Sequence, residues 1–151
     1  MVLISKEDIL EPWPKPYNGG LVSEIQLDLF LNTSILQNRQ PVVIFGANWC
    51  PDARVFSGVL NLRLVAEFIE KYYRILHVNV ENYDQNTNLM NYLGDENLKG
   101  LPLVLIFDKN RKLLNLSQSR EWRTTRDRDP QDIIDYFQSF VRYGSISLGL
   151  N

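Results

Sequence analysis

The chain has 151 residues, 44% of them hydrophobic, which suits a single domain (residues 1–151) built around one sizeable core. Its 16 basic and 18 acidic residues give a formal charge of −2, so neither nucleic acid nor an anionic membrane surface is an expected partner. No apolar run approaches the roughly 20 residues that span a bilayer, and the amino end, MVLISKEDILEPWPKP, lacks a basic segment leading into an apolar secretion core. The expected location is therefore cytoplasmic, or periplasmic if a signal peptide has been removed.

Residues 1–22 carry Pro12, Pro14, Pro16, Gly19 and Gly20, which disfavour a continuous helix, and read as an irregular lead-in on the surface. Ser23, with Gln26 three residues on, has the pattern of a helix cap, and the apolar positions Ile25, Leu29 and Leu36 predict a helix to about Gln37. Pro41 opens the run Val42, Val43, Ile44, Phe45, the continuous apolar stretch of a strand buried on both faces. Gly46-Ala47-Asn48-Trp49-Cys50-Pro51-Asp52-Ala53-Arg54 follows. Then Val55, Phe56, Val59, Leu60, Leu64, Phe68 and Ile69 recur at helical spacing. Pro51 fits the first helical position, where its missing N–H would have no partner anyway.

Leu76, Val78 and Val80 alternate with His77 and Asn79, so 74–81 reads as a second strand, parallel to the first. Leu89, Tyr92 and Leu93 predict a short helix ending at Gly94. Leu101 to Phe107, the turn Asp108-Lys109-Asn110, and Lys112 to Leu116 predict a hairpin. Asp129-Pro130 caps a last helix with the stripe Ile133, Ile134, Phe137, Phe140, Val141. The arginine-rich stretch from Arg120 to Asp129 interleaves its cations with three acids and reads as a solvated loop of local ion pairs rather than a phosphate-binding patch.

In this order of elements, Trp49-Cys50-Pro51-Asp52 leaving a buried strand and Leu101-Pro102 entering another resemble the thioredoxin family over roughly residues 23–143. The resemblance implies a thioredoxin-like three-layer α/β/α fold, a central mixed sheet flanked by helices. It also implies a cis peptide at Pro102 lying against the active cysteine, with the backbone of Leu101 pairing with bound peptide. The chain departs from the family's Cys-X-X-Cys pattern, because Ala53 stands where the second cysteine would be. Ile44 stands where thioredoxins keep a buried carboxylate, and His77 where many keep a lysine.

A single cysteine permits no internal disulfide. A helix N-terminus favours the charged form of a thiol, and the thiolate is the nucleophile, so Cys50 is the candidate catalytic residue. Trp49, Pro51, Leu101 and Pro102 are the candidate substrate-binding residues, and Asp52, Ala53 and His77 are candidate modulators. The expected activity is thiol–disulfide exchange with a protein or peptide disulfide through the single thiol, resolved by an external thiol such as glutathione. The alternatives are a redox-inactive thioredoxin-fold module that binds peptide or protein, and a dithiol oxidoreductase whose resolving cysteine has been replaced by alanine. One Cys and one His fall short of the ligands zinc requires, so no metal or resident cofactor is expected beyond glutathione as co-substrate.

Overall fold

The computed structural model describes residues 3–95 and 100–143, and shows a mixed three-stranded sheet flanked by helices. Helix α1 (Glu24–Leu36) leads to strand β1 (Gln40–Gly46), and helices α2 (Pro51–Leu60) and α3 (Arg63–Tyr72) follow. Then come β2 (Tyr73–Asn79), α4 (Asn88–Tyr92), β3 (Leu103–Ile106) and α5 (Pro130–Ser139), with short 3-10 helices at Lys6–Asp8, Leu116–Gln118 and Glu121–Asp127. The sheet order is β2-β1-β3. Strand β1 pairs in parallel with β2, placing Ile44 opposite His77, and antiparallel with β3, placing Phe45 opposite Leu103. Every residue of β1 is buried, as its unbroken apolar run predicts. No helix among the described residues is long and apolar enough to cross a membrane.

Helix α1 starts as its sequence predicts. The Ser23 hydroxyl accepts from the Gln26 N–H at 3.1 Å, and the Gln26 side chain accepts from the Ser23 N–H at 2.8 Å, so two orphan donors of the first turn are satisfied. The apolar positions that suggest the helix are not the ones it buries. Leu27 and Leu31 are buried, whereas Ile25, Leu29 and Leu36 are 81%, 65% and 86% exposed. The helix carries apolar residues on both sides, and polar contacts select the face. Asp28 accepts from Arg111 at 2.8 Å and from the Tyr92 hydroxyl, and the Arg74 guanidinium stacks 5.0 Å from the Phe30 ring.

The predicted single helix after Cys50 is two helices. At 3.6 residues per turn, Val65 in an unbroken helix would stand about 140° from Leu60 and about 120° from Val59, the last residues of the stripe before it. An extended Leu62 resets the phase, and both Val65 and Ile69 become buried. The aromatic core joins the C-terminal part of the chain to these elements. The Phe56 ring lies 5.9 Å from Trp122 and 6.1 Å from Phe137, and Tyr73 meets Phe137 edge-on at 5.4 Å. Trp122 sits in the 3-10 helix Glu121–Asp127 and is buried, so this stretch is a packed element rather than a solvated loop. Its arginines do form ion pairs, Arg128 with Glu121 at 3.1 Å, Arg126 with Asp52 at 3.3 Å, and Arg120 with Asp95 at 2.8 Å.

Two further expectations are corrected. The lead-in is not confined to the surface, because Tyr17 is buried and Arg54 of α2 donates to the carbonyls of Trp13 and Pro14. The hairpin has only one strand. Beyond an isolated Phe107–Leu113 bridge and the bond from Leu114 N–H to the Ile106 carbonyl, a side chain replaces the second arm. The carboxamide of Asn115, fully buried, accepts from the Ile106 N–H and donates to the Val104 carbonyl, both at 2.8 Å. An amide side chain offers the same donor and acceptor as a peptide group, so it can stand in for a strand.

Replacing Asn115 by Leu leaves both strand groups buried and unpaired. At about 1–3 kcal/mol for each unsatisfied group, Asn115→Leu is expected to lower stability by roughly 2–6 kcal/mol in urea unfolding. A change within about 0.5 kcal/mol, typical of uninvolved surface sites, would contradict this account of the sheet edge.

Candidate active site

Strand β1 ends at Gly46 and the chain turns at once into α2. The Cys50 N–H donates to the Ala47 carbonyl at 3.0 Å, closing the turn, and the Cys50 carbonyl accepts from the Arg54 N–H at 3.1 Å, opening the helix. Cys50 is thus the N-cap residue, in extended conformation, with Pro51 at the first helical position. Its side chain caps no backbone N–H. The sulfur instead points to the loop before β3 and lies 3.9 Å from the Leu101 carbonyl oxygen. The Leu101–Pro102 peptide is cis. Cys50 is 8% exposed and counts among the buried residues of the core.

The predicted site residues separate into those gathered at the sulfur and those held elsewhere. The Leu101 carbonyl lies against the Cys50 sulfur, and Pro102 follows it across the cis peptide. Ala53 is fully buried one turn into the helix. Trp49 is 51% exposed beside the thiol, with its indole N–H donating to the Glu81 carbonyl at 2.6 Å and its ring edge-on to Tyr83. Asp52 turns away, because its carboxylate accepts from the Arg126 N–H at 2.9 Å and from the Arg126 guanidinium. It anchors the 3-10 helix on α2. Arg54, engaged with Trp13 and Pro14, neither pairs with Asp52 nor stands free in solvent.

His77 faces the same interior as Ile44, its register partner. No hydrogen bond joins it to Cys50, and its Nε2 is buried without a partner. Burial pulls its pKa down to about 4, so the ring is neutral at physiological pH. Its ring neighbour is Tyr17, edge-on with centroids 5.4 Å apart.

Tyr17 is the site residue that sequence reasoning missed. Its N–H donates to the Asn48 side chain at 3.0 Å, and Asn48 also donates to Asn18 at 2.7 Å, so the lead-in is tied to the loop that delivers Cys50. The ring lies directly over Gly46, where any Cβ would fall inside it. A glycine ending an otherwise large-residue strand marks a place where another group comes close to the backbone. That was the available signal, although it does not say which group arrives. Burial raises the phenol's pKa, and a negative charge on Cys50 raises it further, so Tyr17 stays protonated within electrostatic reach of the sulfur. Among the described residues no group of three or more His, Cys, Asp or Glu side chains is placed to hold a metal ion.

Residues 17–120 match the family model described as thioredoxin. The solved structure of a disulphide isomerase from Xylella fastidiosa Temecula1 is 25% identical and superposes with a TM-score of 0.75, over 83% of this chain and 96% of that one. A protein of unknown function from Pseudomonas aeruginosa aligns at 14% identity with a TM-score of 0.42, over 91% of this chain and 99% of that one. No curated protein matches the chain.

Two outcomes test the geometry. Gly46→Ala forces the Tyr17 ring off β1 and is expected to cost about 1–3 kcal/mol, the usual penalty of overpacking; an unchanged urea midpoint would contradict the contact. His77 binds its proton near 6.5 in the unfolded chain and only near about 4 when folded, so the unfolded state binds more protons between these values. This contribution to stability is present above about pH 6.5 and is lost as the pH falls to about 4, by at most about 1.4 kcal/mol per pH unit. A chemical-shift titration of His77 near 6.5 would contradict this.

Proposed function

The chain belongs to the thioredoxin family, and from that premise we propose that it is a thiol–disulfide oxidoreductase acting through one sulfur, Cys50, on protein or peptide disulfides. The observation that carries the reading is the placement of that sulfur. Its residue is the N-cap of α2, and the sulfur lies 3.9 Å from the Leu101 carbonyl of the cis Leu101–Pro102 peptide. The positive end of the helix favours negative charge on sulfur, and a charged sulfur is the form that attacks a disulfide.

In the first exchange the Cys50 thiolate attacks one sulfur of the substrate disulfide. A new S–S bond forms to Cys50, the old one breaks, and the second substrate sulfur leaves as a thiolate that is protonated by solvent. Ala53 supplies no resolving thiol, so a second molecule completes the cycle. Glutathione thiolate attacks the mixed disulfide, takes the place of Cys50 in the S–S bond, and returns Cys50 as thiolate. Starting instead from a glutathionylated protein, Cys50 takes up the glutathione and free glutathione removes it as glutathione disulfide. Leu101 and Pro102 line the approach to the sulfur, and the exposed face of Trp49 offers aromatic surface to a peptide. The similarity to a disulphide isomerase structure supports disulfide substrates.

A redox-inactive module that binds peptide or protein is the second reading. One observation favours it: Cys50 is only 8% exposed while the neighbouring Trp49 is 51% exposed, so the accessible surface here is the indole rather than the thiol.

Incubation with oxidised glutathione is expected to add one glutathione to the wild type and none to Cys50→Ser, measured by intact mass. Turnover of a glutathionylated peptide with glutathione should be lost in the serine variant. An unmodified wild type, or equal turnover by both proteins, would leave the binding module as the better account. Ala53→Cys places a second thiol at the resolving position, so this variant is expected to form an internal disulfide with Cys50 and to release substrate without glutathione. A variant that still requires glutathione would contradict the assignment of position 53.

A further inference from the structure

Tyr17 is 2% exposed, and its hydroxyl has no hydrogen-bond partner. Native interiors rarely leave a buried hydroxyl unpaired, and where they do the group calls for an explanation. The surroundings of this one are specific. The ring end that carries the hydroxyl lies over Gly46, where β1 ends, and the Tyr17 backbone is bonded to Asn48 in the turn that leads on to Cys50. Arg54 of α2 clamps the carbonyls of Trp13 and Pro14 just upstream. The position of the phenol is therefore fixed by the same elements that fix the sulfur.

We propose that Tyr17 is a positioning residue for Cys50, its hydroxyl donating a hydrogen bond to the sulfur whenever the sulfur carries negative charge, both in the free thiolate and when Cys50 leaves a mixed disulfide. This rests on the reading of Cys50 as the nucleophile. In the thiol form the sulfur turns to the Leu101 carbonyl, and the phenol is left without a partner. When the sulfur ionises it has no proton to give Leu101 and becomes an acceptor, while the phenol remains a donor because burial and the nearby charge both keep it protonated. No proton is transferred in this arrangement.

The other ionisable groups around the pair are committed elsewhere. On α2, Asp52 is held by Arg126 and Arg54 by backbone carbonyls, and on β2 the neutral His77 meets only the edge of the Tyr17 ring.

The test follows the Cβ resonance of isotopically labelled Cys50 against pH, a readout that needs no turnover. Tyr17→Phe keeps the ring over Gly46 and removes only the donor. The midpoint of the Cys50 transition is expected to rise by about one pH unit, on the order of a tenfold loss of thiolate near neutrality. Fluorotyrosine at position 17, a stronger donor, is expected to lower it. A midpoint unmoved by both replacements overturns the proposal. If the midpoint moves as expected while the wild type forms no glutathione adduct, the hydrogen bond stands and the oxidoreductase reading falls.

Discussion

The passage from β1 to α2 is the constraint on which the rest of the structure depends. Strand β1 is buried along its whole length and paired on both sides, so its direction is set by its neighbours. The chain must then turn within Ala47, Asn48 and Trp49 and begin a helix at Pro51. One hydrogen bond, from the Cys50 N–H to the Ala47 carbonyl, closes that turn. The residue that ends it carries the chain's single thiol. Backbone geometry therefore brings the sulfur both to a helix end, which favours its charge, and to the loop before β3, which presents the Leu101 carbonyl and the cis Pro102.

The surroundings of this turn show how the fold compensates for unusual residues. Gly46 leaves a gap beside the sheet, and Tyr17 from the lead-in fills it. Ile44 puts an apolar side chain in the sheet interior, and its register partner His77 remains neutral by burial. The charges nearest the site are used in structural contacts, with Asp52 holding the 3-10 helix Glu121–Asp127 and Arg54 holding the lead-in.

Local signals made much of this legible in the sequence. The Ser23–Gln26 capping box, the unbroken run through Phe45, Pro51 at the start of α2 and Asp129-Pro130 before α5 each encode their element through bonds made within a few residues. What the sequence concealed depends on distant partners. The rotation of α1 was hidden because Ile25 and Leu29 compete with Leu27 and Leu31, and contacts to Arg111, Tyr92 and Arg74 decide between them. The single-stranded end of the predicted hairpin was hidden because Asn115 imitates a strand with its side chain. Tyr17 was hidden because no periodicity in a proline-rich segment distinguishes an inserted ring from an exposed one.

The central claim is that folding activates Cys50 rather than merely covering it. The most direct measurement is the rate of exchange between the protein and a small chromogenic disulfide at one pH, folded and then unfolded in denaturant. If the helix end and the loop before β3 act as described, the folded sulfur reacts faster than the same sulfur in the unfolded chain. A folded protein that reacts more slowly would show that the fold only protects this cysteine.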